Sequence, residues 1–177
     1  MPHPCRSLAA LLAAACLTLT AHAGMDDFVA GTMVPGFGKS APVEGVSLPA
    51  DAAFKVAFDV TDAAPADDVN KGFNTAARFL NMHAAAGVPA ENMSVALVVH
   101  GPAASDLLTA EKLGHANPSA PLIAELLAAG ASIQLCGQTA AARDFAPDDL
   151  LPGVTVSLSA MTSHALLQQD GYTLNPF

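Results

Sequence analysis

Cys136 is the residue with the most chemistry available to it. It is one of three cysteines in a 177-residue chain. The other two, Cys5 and Cys16, lie in an N-terminal stretch that reads as an export signal. Arg6 supplies the positive charge, Leu8 to Leu19 a short apolar run, and Ala21-His22-Ala23 a small-x-small cleavage site before Gly24. Cleavage there leaves Cys136 as a lone thiol in an oxidising compartment, where cysteines are paired or avoided. Two readings of it compete. It is a small buried apolar residue that ends a strand, or it is kept for reactivity. Gly137 after it allows a sharp turn, and the helix that follows brings amide dipoles that favour a thiolate. These features and the compartment favour reactivity.

The elements that must hold Cys136 alternate strand and helix from Phe54 onward. Phe54–Val60 reads as a strand. A helix capped by Asp67 or Asp68 carries Phe73, Ala76, Ala77, Leu80 and Ala84 at helical spacing and stops at Gly87. Residues 94–100 form an almost unbroken apolar strand, the pattern of a position buried on both sides. A short helix is expected near Ser105–Glu111. Asn117-Pro118 opens a helix through Leu122, Ile123, Leu126 and Leu127 that ends at Gly130. Residues 131–136 are the third strand and 139–145 a short helix. Residues 154–158 are the fourth strand. Ser159 caps a last helix carrying Ala165, Leu166 and Leu167, and Tyr172-Thr173-Leu174 forms a short fifth strand. Such alternation predicts an α/β domain over residues 51–177, a three-layer arrangement with a mainly parallel five-stranded sheet and helices on both faces. Residues 24–50, rich in Gly and Pro, form an extended arm anchored by Phe28, Val34 and Phe37 on the domain or on a neighbouring subunit.

In parallel sheets ligands bind beyond the carboxyl ends of the strands. That rule selects Asp59 and Thr61, His100, Cys136 and Ser159. His100 is either hydrogen-bonded scaffolding or a partner that stabilises the Cys136 thiolate. Asp59 and Asp62 are a carboxylate pair or a pair of caps. Asn74, near the start of the first helix, is placed to point toward the strand ends. Arg143 steers anions or makes a surface ion pair. His83, His115 and His164 are scattered without the spacing of metal ligands, and the methionines are dispersed as core fillers. No metal and no cofactor are expected. There is no phosphate-binding Gly-rich loop, no Gly-x-Ser-x-Gly elbow and no Cys-x-x-Cys pair.

Several segments together resemble the DsrE/DsrF-like (YchN-like) sulfur-relay superfamily. They are Phe58-Asp59-Val60, the helix from Asn74 to Leu80, Val98-Val99-His100-Gly101-Pro102, Leu135-Cys136-Gly137-Gln138-Thr139, the turn from Asp149 to Val154, and Gln168-Gln169 with Gly171-Tyr172. The resemblance implies a flavodoxin-like or YchN-like fold, trimers or hexamers, and a cysteine after the third strand that carries a persulfide between partner proteins. Cys136 holds that position. Cys136 and His100 are then the expected catalytic pair, with Asp59, Asn74, Gly137, Gln138 and Ser159 as ligand-binding residues. The export signal and the arm depart from the cytoplasmic relay members.

Composition limits the partners. Seven Lys and Arg stand against sixteen Asp and Glu, a net charge of −9, and loss of Arg6 with the signal makes it −10. Such a surface repels nucleic acid and anionic lipid. The apolar run of the signal is shorter than the ~20 residues of a spanning helix, so no membrane span is expected. The location expected is the periplasm. A lipoprotein anchored through Cys16, after Ala13-Ala14-Ala15, is the rival reading. Two functions follow: a sulfur carrier or transferase working through Cys136, with a sulfur-donor or acceptor protein as partner, or a non-catalytic oligomeric binding module in which Cys136 is structural.

Overall fold

Five strands pair side by side into one sheet. A computed structural model describes residues 24–175, so the expected signal, with Cys5 and Cys16, lies outside the described residues. The strands are β1 (Phe54–Val60), β2 (Met93–Val99), β3 (Ser132–Cys136), β4 (Thr155–Ser157) and β5 (Thr173–Asn175). The helices are α1 (Lys71–Ala85), α2 (Ala110–Leu113), α3 (Ala120–Ala128), α4 (Gly137–Arg143) and α5 (Ala160–Gln169). The sheet order is β4-β3-β2-β1-β5, and every pair is parallel. None of the helices in the described residues is long and apolar enough to cross a membrane.

The order of the strands decides where the helices lie. From β1 to β2 to β3 to β4 the chain steps in one direction, and right-handed crossovers put α1, α3 and α4 on one face. From β4 it returns across the sheet to β5, beside β1. That reversal puts α5 alone on the other face. The cores reflect this. Val56, Phe58, Leu97 and Leu135 pack with Phe73, Leu80, Leu122 and Leu126 in a large cluster. On the α5 side a small one holds Val98, Cys136 and Ala160, with Leu167 against it. The expected three layers are present, and they are unequal.

Tertiary bonds move several helix starts. The cap of α1 is Asn70, not Asp67 or Asp68. Its Oδ1 accepts from the Gly72 and Phe73 amides, and its Nδ2 donates to Asp106 Oδ2 and to the Asp62 carbonyl. Asp67 instead sits in the left-handed region, φ 61°, in the turn before it. Asn117 and Pro118 precede α3 rather than open it. Ser119 is the N-cap position, while buried Asn117 donates to the Asp106 and Leu108 carbonyls and accepts from the Ser119 amide. The helix expected at Ser105–Glu111 is a 3₁₀ turn over Gly101–Leu107 followed by α2. The helix expected from Thr139 starts two residues earlier, directly on Cys136.

The arm lies across its own domain. Val34 is fully buried in the large core, Phe37 packs against it, and Phe28 stays at the surface. Buried Asn81 of α1 clamps the arm. Its Oδ1 accepts from the Met33 and Val34 amides, and its Nδ2 donates to the carbonyls of Val34, Phe37 and Gly38. Asn74 is part of the same strap. Its Oδ1 accepts from the Gly38 amide at 2.9 Å, so it serves the arm and not the strand ends.

Candidate active site at the carboxyl ends of β1, β2 and β3

Strands β3, β2 and β1 are neighbours, so the residues at their ends share one edge of the sheet. Cys136, His100 and Asp59 come from three consecutive strand ends. Cys136 closes β3 and is the N-cap residue of α4. No loop separates strand from helix. Gly137 makes this possible, for a different reason from the one its sequence suggests. Its φ is not in the left-handed region. A Cβ on it would lie within 3.0 Å of the Ser157 carbonyl oxygen at the end of β4. Glycine is required by the close approach of two strand ends.

The sulfur sits beneath a thin cover, with Cys136 6% exposed. Burial pushes its pKa up. Hydrogen-bonding contributions from the Thr139 and Ala160 amides, the Thr139 hydroxyl and the Gln138 amide outweigh it and hold the thiol below its ordinary value. The donors come from the first turns of two helices, α4 and α5, whose dipoles favour an anion. Thr139 Oγ1 in turn accepts from the Gly101 amide at 3.2 Å. That bond occupies a lone pair of the hydroxyl and leaves its proton free to face the sulfur. A folded-state pKa below the unfolded one favours the fold above the unfolded pKa, and this contribution is lost as pH falls through the folded one. The ultraviolet absorbance of the thiolate is therefore expected to persist to lower pH than in an unfolded control. Thr139→Val, which keeps the shape and deletes the hydroxyl, should shift that titration upward. Coincident curves for folded and unfolded protein would contradict the cradle.

His100 is not among the groups that hold the sulfur. Its Nε2 meets Asp59 Oδ1 at 3.0 Å, and the Nε2 of His164 meets the same oxygen at 2.8 Å. A carboxylate only accepts, so both imidazoles donate from Nε2. His164 Nδ1 is buried without a hydrogen-bond partner. Read from spacing, His164 is one of several scattered histidines. The fold brings it to the site because α5 crosses the sheet with Ala160, Ser163, His164 and Leu167 turned inward. A helical stripe at those positions is the signal that finds it. Asp59 thus pairs with two histidines and not with Asp62. Among the described residues no group of three or more His, Cys, Asp and Glu is arranged to hold a metal.

The remaining expected site residues divide. Ser159 caps α5, its Oγ accepting from the Thr162 amide at 3.1 Å, and its carbonyl accepts from Ser163 Oγ. The exposed Gln138 side chain donates to the Leu158 carbonyl at 3.2 Å, while its amide faces the sulfur. Gly137 lies under β4. Asn74 lies elsewhere, on the arm. Arg143, exposed at the end of α4, makes no ion pair among the described residues.

An all-parallel five-stranded sheet of order β4-β3-β2-β1-β5 with helices on both faces makes this an α/β protein, and its likeness to solved structures gives the fold as YchN-like. Two solved structures share that fold. One is a protein of unknown function, MTH1491, from Methanobacterium thermoautotrophicum, at TM-score 0.54 and 20% identity over 70% of this chain and 99% of that one. The other is the YchN protein of E. coli, at TM-score 0.52 and 17% identity, with the same coverage. Residues 55–176 match the DsrE/DsrF-like family, and the chain belongs to it. No curated protein matches the chain.

Proposed function

We propose that this protein is an exported sulfur carrier that holds sulfane sulfur on Cys136 as a persulfide. The placement of Cys136 at the carboxyl end of β3 and at the N-cap position of α4 carries the reading, and a thiol pKa held below its ordinary value accords with it. The Cys136 thiolate attacks the outer sulfur of a donor R–S–S⁻. The new bond makes Cys136–S–S⁻, and RS⁻ leaves with the electron pair of the broken S–S bond. An acceptor thiolate then takes the outer sulfur, and Cys136 returns as thiolate. No net oxidant or reductant is consumed. Uncharged hydrogen-bond donors suit both the thiolate and the persulfide, because each carries one negative charge on sulfur beside the same helix ends. Donor and acceptor are partner proteins or inorganic polysulfide, in the periplasm, and the carrier works as a homo-oligomer.

Intact mass after brief polysulfide treatment tests the reading. Wild-type protein should gain one sulfur, and Cys136→Ser none. A second reading draws on the 6% exposure of Cys136 and its packing against Val98 and Ala160: a structural thiol in a binding module. A wild-type thiol that takes up no sulfur and resists alkylation until the protein unfolds would establish that second reading and end the first.

A further inference from the structure

Asp59 holds two histidines on one oxygen. His100 Nε2 and His164 Nε2 donate to its Oδ1 at 3.0 and 2.8 Å. Each neutral ring therefore carries its proton on Nε2 and its lone pair on Nδ1. The two lone pairs have different surroundings. His164 Nδ1 is buried without a hydrogen-bond partner, and its side chain is 17% exposed. A proton added there would make a buried N–H with no acceptor. The His100 side chain is 32% exposed, and its Nδ1 makes no hydrogen bond among the described residues. Of the two, His100 is the one that can exchange a proton with a molecule arriving from outside.

His100 also lies beside the thiol. Val99 pairs with Leu135, and the chain stays extended at His100, φ −152° and ψ 178°. His100 and Cys136 therefore take the next positions on neighbouring strands, about 4.8 Å apart. Both face α5. Cys136 packs with Val98, and His100 is two residues beyond Val98. Asp59 is the register partner of Val98 and faces the same way. Cys136 needs no base, because hydrogen bonds already hold its thiol below the ordinary value. The acceptor thiol does need one. An ordinary cysteine thiol has a pKa of about 8.5 and is mostly protonated near neutrality, whereas the thiolate is the nucleophile. We propose that His100 is the general base for discharge of the carrier, and that Asp59 and His164 are positioning residues for it. The assignment rests on the carrier reading of Cys136. His100 Nδ1 takes the proton of the acceptor R–S–H. The resulting thiolate attacks the outer sulfur of Cys136–S–S⁻. A new S–S bond forms, the bond to Cys136 breaks, and its electron pair stays on Cys136. R–S–S⁻ leaves, and the imidazolium gives its proton to water. Asp59 fixes the tautomer of His100 and stabilises the imidazolium, as carboxylates do for other histidine bases. The Asp59 side chain is 38% exposed, and the second bond, from His164 on α5, keeps it from turning away. The acceptor class selected is a thiol of ordinary acidity.

Discharge of preloaded protein into two kinds of acceptor tests this. Purified protein is loaded with polysulfide, desalted, and mixed with an alkyl thiol that is largely protonated at the assay pH, or with an aromatic thiol that is already ionised. Intact mass follows the loss of the added sulfur from the loaded fraction. His100→Gln should slow discharge to the alkyl thiol roughly a hundredfold, and His164→Leu roughly tenfold, a fraction of what the base itself contributes. His164→Gln, whose Nε2 can donate to Asp59, should recover most of the loss seen with leucine. Discharge to the aromatic thiolate should be slowed far less in every variant, because it has no proton to give up. Circular dichroism checks that each variant is folded. Equal slowing with both acceptors, or slowing with neither, would overturn the assignment of His100 as base. A wild type that takes up no sulfur would instead end the carrier reading itself.

Discussion

Gly137→Ala is expected to destabilise the protein by about 3 kcal/mol and to disturb Cys136 at the same time. The added methyl has nowhere to go. It meets the Ser157 carbonyl, and the next atom in its path is the Leu158 carbonyl. Both are backbone, so no rotamer change relieves the clash, and overpacking of this kind typically costs 1–3 kcal/mol or somewhat more. Helix propensity pulls the other way, since Ala is better than Gly in a helix by up to about 1 kcal/mol. The clash should win because β4 pairs only with β3, over three residues, and must move away as a unit. In a domain of this size the melting temperature should fall by roughly 6–12 °C. Moving β4 also displaces Ser159 and Ala160, which follow it, so the Ala160 amide should leave the sulfur and the thiol pKa should rise toward its ordinary range. Thermal unfolding and thiolate absorbance on the same sample check both effects. A variant as stable as wild type would mean that propensity, not contact, governs this position.

Asn81→Leu should have an effect of similar size by a different route. The substitution keeps the branched heavy-atom skeleton and removes both ends of the clamp. Two arm amides and three arm carbonyls lose their partner. Left buried, each such group costs about 1–3 kcal/mol, and the sum, about 5–15 kcal/mol, is comparable with the whole stability of a typical domain. The arm therefore has a cheaper alternative, which is to leave. Release exposes Val34, fully buried in the native state, at about 2 kcal/mol, and gives up the Asn74 and Glu125 bonds to Gly38 and Gly36. The expected outcome is a loss of about 3 kcal/mol with new proteolytic cleavage between residues 29 and 40, while the sheet stays folded. Unchanged protease resistance and unchanged melting would mean that the clamp does not hold the arm.

Local pattern was enough wherever a single element decides its own environment. The unbroken apolar run of β2 announced a strand buried on both sides, because no other place in a fold tolerates that surface. Ser159 announced a helix start, because its hydroxyl serves amides only three residues away. Cys136 at the end of β3 followed from the same local logic, as did the amides of α4 beside it. Val34 and Phe37 were legible as anchors of the arm, since they are apolar side chains in a stretch with little other structure.

The rest depended on which elements meet, and no local spacing encodes that. The turn toward α1 offered Asp67 and Asp68 as caps. Asn70 took the role because Asp62, Asp106 and Ser119, distant or on other elements, hold it in place. Asn74 looked toward the strand ends until the Gly38 amide claimed its oxygen. His100 had a plausible thiolate nearby, yet a carboxylate one strand away and a second histidine on α5 form the stronger, charge-assisted bonds. Thus the sequence by itself determined that a thiol would stand at the carboxyl end of a parallel sheet, just before a helix. Only the tertiary structure decided that a second helix, returning across the sheet after β4, would bring its own amide to that sulfur and a histidine to Asp59. Hydrogen bonds act over about 3 Å, and only the folded chain brings residues so far apart in sequence within that distance.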